Sequence, residues 1–151
     1  KKIDPNNYIE PDELVNVIEV FWKEKDRFID DYVQKNPLNL TYRNLNIIKD
    51  FKYGMRKNFL LAVYEKNYTV LNDEGINYMV KGLNENLDQF IPAEKTPMLI
   101  QTAIMPFNSM IIYDGFISTA DMQLSQELVS KAFEDYSYGQ KIYSLLPKKM
   151  N

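Results

Sequence analysis

The chain has 151 residues, with 18 basic and 21 acidic side chains and a net charge of −3. It contains no cysteine and no histidine, which excludes disulfide scaffolds, thiolate or imidazole metal sites, and catalysis by a cysteine or a histidine. With 45% hydrophobic and 26% charged residues and no apolar stretch long enough to span a membrane, it predicts one soluble domain over residues 1–151, without a membrane partner, a cofactor or a metal.

The first predicted element is a long amphipathic helix over residues 11–35. Pro11 suits the first turn of a helix, where its missing N–H costs nothing. Apolar residues then recur at helical spacing, namely Leu14, Val17, Ile18, Phe21, Phe28, Ile29, Tyr32 and Val33. Asn36 and Pro37 end the pattern. We interpret this stripe as core, and a partner-binding face is the alternative.

A second, shorter helix follows and completes an N-terminal helical part over about residues 11–54. Thr41 is its predicted N-cap, because threonine can accept a hydrogen bond from a free backbone N–H of the first turn. Its apolar face is Tyr42, Leu45, Ile48 and Phe51, and it ends near Gly54.

The pattern then changes to that of β-strands, over about residues 57–117. The predicted strands are 58–64, 68–71, 76–81, 98–105 and 109–117. Between the third and the fourth, Asn84 is the predicted cap of a short helix with Leu87, Phe90 and Ile91 directed inward. Turn signals between successive strands predict an antiparallel five-strand meander.

The tail predicts a C-terminal helix over about residues 119–138, capped by Ser118 or Thr119 and ended at Gly139. Its predicted inward stripe is Met122, Ser125, Leu128, Val129, Ala132, Phe133 and Tyr136. Because helices and strands are segregated along the chain, we expect the α+β class.

Asp114 is the most conspicuous candidate site residue, because it interrupts an apolar strand and precedes Gly115. A charge in such a position is costly unless it is paired. Lys81, a second charged strand residue beside a glycine, is a candidate partner, so that Asp114, Gly115 and Lys81 form one candidate signature. The favoured interpretation is structural, with Asp114 at a bulge or strand end where its carboxylate accepts local backbone N–H groups. The alternative is that it binds a ligand.

Nucleic acid is not expected as a partner. Only three residues are arginine, and positive charge is concentrated only in the segment 49–57, which holds Lys49, Lys52, Arg56 and Lys57. We interpret that segment as a solvated helix end, with a phosphate contact as the alternative.

Several segments within residues 42–147 carry a resemblance to a known family. They are Asn67–Leu71, Tyr78–Leu83, Met105–Phe107, Met110–Ile117, Tyr138-Gly139 and Leu145–Pro147. They resemble a family of uncharacterised bacterial proteins with a "PFKGKIIYDG"-like segment, some of which carry a cysteine-rich zinc motif of the kind found at the end of the translocation ATPase SecA. This chain lacks that motif, and Asn108–Met110 replaces the usual glycine–lysine turn. The resemblance implies a bacterial cytoplasmic protein and implies no particular activity.

Two classes of function remain open. The first is a non-catalytic cytoplasmic module that binds a protein partner or a small ligand. The chain has no glycine-rich phosphate loop, whereas its 11 tyrosines and 7 methionines are residue types common at contact surfaces. The alternative is a metal-dependent hydrolase or nuclease that uses Asp and Glu carboxylates, with Asp114 as one ligand. Three carboxylates within about 5 Å of one point would favour the enzyme, and an exposed patch of tyrosines and methionines above roughly 400 Å² would favour the binding module.

Overall fold

The computed structural model describes residues 10–119 and 124–146. Its first layer is helical, with α1 (Pro11–Lys23), α2 (Lys25–Lys35), α3 (Tyr42–Asp50) and a 3₁₀ turn at Phe51–Tyr53. The predicted cap of α3 is confirmed, because Asn44 N donates a 3.3 Å hydrogen bond to Thr41 Oγ1.

The single helix predicted over residues 11–35 is wrong in one respect, since it breaks at Glu24 (φ −119°, ψ 23°). Lys25, which interrupts the apolar stripe, directly follows the break and is only partly exposed. Its ammonium group donates to Lys52 O (2.6 Å) and to Asp26 Oδ1 (2.9 Å), so this polar position is tied to the segment after α3. The predicted end of α2 is confirmed at Asn36, which adopts a positive φ of 40°.

The described residues contain seven strands rather than five. They are β1 (Met55–Tyr64), β2 (Thr69–Asp73), β3 (Ile76–Lys81), β4 (Met98–Phe107), β5 (Met110–Tyr113), β6 (Ser118–Thr119) and, after helix α4 (Gln126–Tyr138), β7 (Gln140–Ile142). The α+β class is confirmed. The predicted antiparallel meander is only partly right, because β3 pairs in parallel with β5 and with β7.

The first five strands close into a barrel in the order β1–β2–β3–β5–β4–β1. Closure depends on the ten-residue length of β1, whose first half pairs with β4 and whose second half pairs with β2. A register shift between Leu61 and Val63 bends β1 where it passes from one partner to the other. This is the strand order of the five-stranded Greek-key barrels known as OB folds.

The barrel interior is filled by large apolar side chains contributed by all five strands. Those with the least exposure are Phe59, Leu61, Leu71, Val80, Ile100, Ile104 and Ile111. One end is covered by the segment between β3 and β4, where Leu87 and Ile91 join the same cluster. The barrel therefore has a packed core rather than a ligand cavity.

The covering segment differs from the short helix predicted there. It contains only 3₁₀ turns, at Leu87–Gln89 and Ala93–Lys95, and Asn86 rather than Asn84 forms the cap. Leu87 and Ile91 are buried as predicted, whereas Phe90 is 55% exposed. Pro92 disfavours a helical conformation at Ile91, and the carbonyls of Glu85 and Ile91 accept hydrogen bonds from Tyr113 and Tyr64 of the barrel.

The C-terminal helix begins later than predicted. Ser118 and Thr119 pair with Gln101 and Ile100 of β4, so they form a strand instead of a cap. The cap is Ser125, whose Oγ accepts from Leu128 N at 3.2 Å. Predicted helical residues 120–123 lie outside the described residues. Among the described helices, none has the length and apolar character needed to cross a membrane.

Candidate functional site

Asp114 lies in a bulge that separates β5 from β6. Tyr113 pairs with Ile104, and Ser118 pairs with Gln101, so the four residues 114–117 oppose only two residues of β4. The predicted strand over residues 109–117 is therefore interrupted at Asp114. The structural interpretation of this residue agrees with what the bulge shows.

The carboxylate of Asp114 holds the bulge in shape. Its Oδ1 accepts from Phe116 N at 3.0 Å and from Thr102 Oγ1 at 3.4 Å. Thr102 Oγ1 also lies 3.0 Å from Phe116 O. Between them, Gly115 has a φ of +85°, a conformation that glycine adopts without strain. Asp114 and Gly115 thus act together as a turn.

The surroundings of Asp114 connect the barrel to the helical layer. Burial raises its pKa, while the Phe116 backbone, the charge of Arg56, the Ala103 backbone and the nearby Trp22 side chain oppose that rise. Trp22 belongs to α1 and Arg56 to β1, and sequence reasoning did not associate either residue with Asp114. No pattern along the chain could have done so, because the three positions are far apart in sequence.

Arg56 strengthens the same connection. Its Nε donates to Glu19 Oε1 of α1 and its Nη2 to Gln101 Oε1 of β4, each at 3.2 Å. Its Nη1 is buried and has no hydrogen-bond partner. Through Glu19 and Gln101, Arg56 therefore links α1 of the helical layer to β4 of the barrel.

Lys81, the third residue of the candidate signature, lies elsewhere. Its Nζ is 4.7 Å from the centre of the Tyr68 ring, in a cation–π contact. Tyr68 packs on the outer face of the barrel beside Val70 and Met79. The ion pairs found within residues 10–119 and 124–146 do not join Lys81 to Asp114.

The metal-dependent alternative finds no ligand set in the described part of the chain. A group of three or more Asp or Glu side chains placed to hold one metal ion does not occur there. Asp114 in particular is surrounded by Thr102, Arg56 and Trp22 rather than by other acids.

The basic segment over residues 49–57 is largely neutralised within the chain. Lys52 pairs with Asp30 (2.5 Å), Arg56 with Glu19 (3.2 Å) and Lys57 with Asp73 (2.5 Å). Acidic side chains of the chain itself therefore pair with three of the four cations in this segment.

The outer face of the barrel offers no open surface at β2 and β3, where OB folds bind oligonucleotides or oligosaccharides. Helix α4 covers it in this chain. Tyr136 of α4 packs on the cluster that contains Val70 and Met79 and hydrogen-bonds to Glu65. Asn77 Nδ2 of β3 donates to Asp135 O at 2.9 Å.

An open concavity lies in the helical layer. It is a groove of about 960 Å³ between α1, α2, α3 and the turn that follows α3. Most of its surface is apolar, and the residues that form its walls include Val17, Val20, Phe21, Phe28, Ile29 and Tyr32. Asp31 and Lys35 supply an ion pair at 2.8 Å along its lining. We call this feature the helical groove.

The helical groove exposes part of the stripe that sequence analysis assigned to the core. Within that stripe Val17 is 40% exposed, although Ile18 and Ile29 are buried. Val20, which the predicted stripe did not include, also lines the groove and is 51% exposed. A wall of this composition can take up apolar side chains and offers few polar groups for catalysis.

No protein-family model, curated protein or solved structure matches this chain. The resemblance to the uncharacterised bacterial family therefore stays a prediction.

Proposed function

We propose that this chain is a non-catalytic binding module and that the helical groove is its protein-interaction surface. The observation that supports this proposal most is the uncovered apolar stripe of α1, where Val17 and Val20 face an open groove instead of a core. Contiguous apolar patches larger than a few hundred Å² are rare on monomeric proteins and mark sites of association. The bacterial cytoplasmic setting implied by the family resemblance is part of the same proposal.

The size of the helical groove fits this class of partner. A volume of about 960 Å³ can hold several large side chains from one face of a helix, which is how amphipathic helices bind in grooves. It also lies near the upper end of small-ligand pockets, so a small apolar ligand is the competing occupant.

The absence of cysteine allows a site-specific test. Val20→Cys places a unique thiol in the helical groove, and Val15→Cys places one on another face of α1, at a position that is similarly exposed. Each variant is labelled with a benzophenone maleimide and irradiated in a lysate of cells that produce the protein naturally.

We expect protein adducts, identified by mass spectrometry, that form at position 20 and not at position 15. Adducts with a second copy of the chain would count equally, because they too place a protein in the groove. Equal labelling at the two positions would contradict the proposal, and protection of position 20 without any protein adduct would favour a small ligand.

A further inference from the structure

One face of α1 combines the apolar wall of the helical groove with two charges of opposite sign. Helical spacing places Glu13, Asn16, Val17, Val20 and Lys23 within an arc of about 120°. All five residues are exposed, and the three central ones line the groove.

The two charged residues lie at opposite ends of this face. Glu13 is in the first turn of α1 and Lys23 in the last. None of the ion pairs formed within residues 10–119 and 124–146 uses either of them, whereas the neighbouring Glu24 pairs with Arg27 and Glu19 pairs with Arg56. The face therefore presents an acid, then Asn16 with the two valines, and then a base, in that order.

Such a face is complementary to itself when two copies run antiparallel. If Asn16 of one copy faces Val20 of the other, the same register places Glu13 opposite Lys23, since both pairs are centred on position 18 of the helix. A twofold axis repeats each contact, so both ends gain an ion pair. Antiparallel helix dipoles also favour this arrangement.

We propose that the helical groove is occupied by a second copy of this chain, with the two α1 helices antiparallel and Glu13 of each copy facing Lys23 of the other. This inference rests on the proposed function and names the partner of that surface. Val17 and Val20 of each copy then pack over the apolar wall formed by α1 and α2 of its partner.

The interface is small, so the association is weak. Thirteen residues of helix are about 20 Å long, which puts the contact at the low end of specific interfaces. We expect a dissociation constant on the order of tens of micromolar.

Charge reversal gives a sharp test by sedimentation velocity on the full chain. Lys23→Glu places acids against acids at both ends of the interface, and Glu13→Lys places bases against bases. We expect each variant alone to dimerise at least about tenfold more weakly than the wild type. In an equimolar mixture of the two, each Lys faces a Glu, so dimers should return. Lys49→Glu, an equal charge change in the last turn of α3, is the matched control and should dimerise like the wild type.

A wild-type chain that stays monomeric at about 1 mM would overturn the inference, and so would a mixture that stays as monomeric as its components. Val20→Glu should weaken dimerisation, while Val15→Glu should not. If the wild type is monomeric while the probe at position 20 still captures other proteins, the inference fails and the proposed function stands. If the wild type is monomeric and the probe captures nothing, both fail.

Discussion

The barrel and the helical layer bury their apolar side chains to different extents. In the barrel, every strand contributes side chains with almost no exposure, and the open end is covered by Leu87 and Ile91. In the helical layer, only Ile18 and Ile29 are buried within α1 and α2, and α3 has no buried residue.

This difference shows where the chain has apolar surface in excess of what its own fold needs. A strand in the barrel meets a neighbour on each side, so its inward residues have no alternative to burial. The helices cover only part of the barrel, and their apolar stripes extend past that contact into the helical groove. Surface of this kind is available to a partner without disturbing the core.

The largest loss of stability is expected from a substitution in the barrel. Phe59 is fully buried and makes an edge-to-face contact with Tyr78 at 6.1 Å. Phe59→Ala should lower the free energy of unfolding by about 3–5 kcal/mol, because it leaves a cavity in a closed core. Urea unfolding followed by far-UV circular dichroism measures the loss.

Trp22 fluorescence tests whether the two layers are coupled, since Trp22 lies in α1. If Arg56 and Asp114 join the layers as described, the fluorescence transition of Phe59→Ala should move together with the dichroism transition. A fluorescence transition that stays in place would show that the helical layer unfolds independently.

A smaller loss is expected at the junction of α4 with the barrel edge. A Cβ on Gly139 would lie 2.1 Å from Asp135 O and 2.7 Å from Gly75 O, so the backbone must move. Gly139→Ala should cost about 1–3 kcal/mol, measured by urea unfolding. Gly115→Ala is the control, because no atom lies within 4 Å of its added Cβ and only the positive φ opposes it, at about 1 kcal/mol. A larger loss at Gly115 than at Gly139 would contradict the close approach.

Much of the fold could be predicted from local signals. Helix limits at Pro11, Thr41 and Asn36 follow from backbone chemistry that acts within a few residues. Barrel closure could not be predicted in this way. It depends on β1 pairing with both β2 and β4 and on β3 running parallel to β5, and these are relations between distant segments.

The candidate sites, too, include one feature that local sequence signals indicate and one that they do not. The turn at Asp114 and Gly115 could be predicted from the sequence, because an acid followed by glycine inside an apolar run indicates a local irregularity. The helical groove could not be predicted, since periodicity shows which side chains share a face and does not show how much of that face is covered. For α4, Leu128 and Phe133 were predicted inward, yet both are exposed and only Ala132 is buried.

Substitution of Asp114 should change the free energy of unfolding modestly, and the change should depend on pH. Asp114→Ala removes the acceptor for Phe116 N and should cost about 1 kcal/mol. Asp114→Asn keeps an acceptor and loses the charge. Because burial raises the pKa of Asp114 above 3.8, the folded chain holds this proton more tightly than the unfolded chain does. Its contribution to stability is therefore present at low pH and declines as pH rises through the raised value.

The pH dependence is measured as the difference in unfolding free energy between wild type and Asp114→Asn, at about pH 3 and about pH 7. Asn carries no titrating group, so the wild type should lose stability relative to the variant on going to the higher pH. A change in the opposite direction would mean that Arg56 and the local hydrogen bonds outweigh burial.

The smallest effect is expected in the helical groove, where a pair of identical substitutions tests the comparison of the two regions directly. Val80 is 1% exposed in the barrel, and Val80→Ala should cost about 1.5–3 kcal/mol in urea unfolding through lost burial. Val20→Ala removes the same two methyl groups from a half-exposed wall, and alanine also has the higher helix propensity. Its effect on the free energy of unfolding should stay within about 0.5 kcal/mol, measured at a protein concentration well below the expected dimer dissociation constant. A loss of unfolding free energy at Val20 as large as that at Val80 would mean that the stripe of α1 is buried as core in solution. The groove would then not be available as a binding surface.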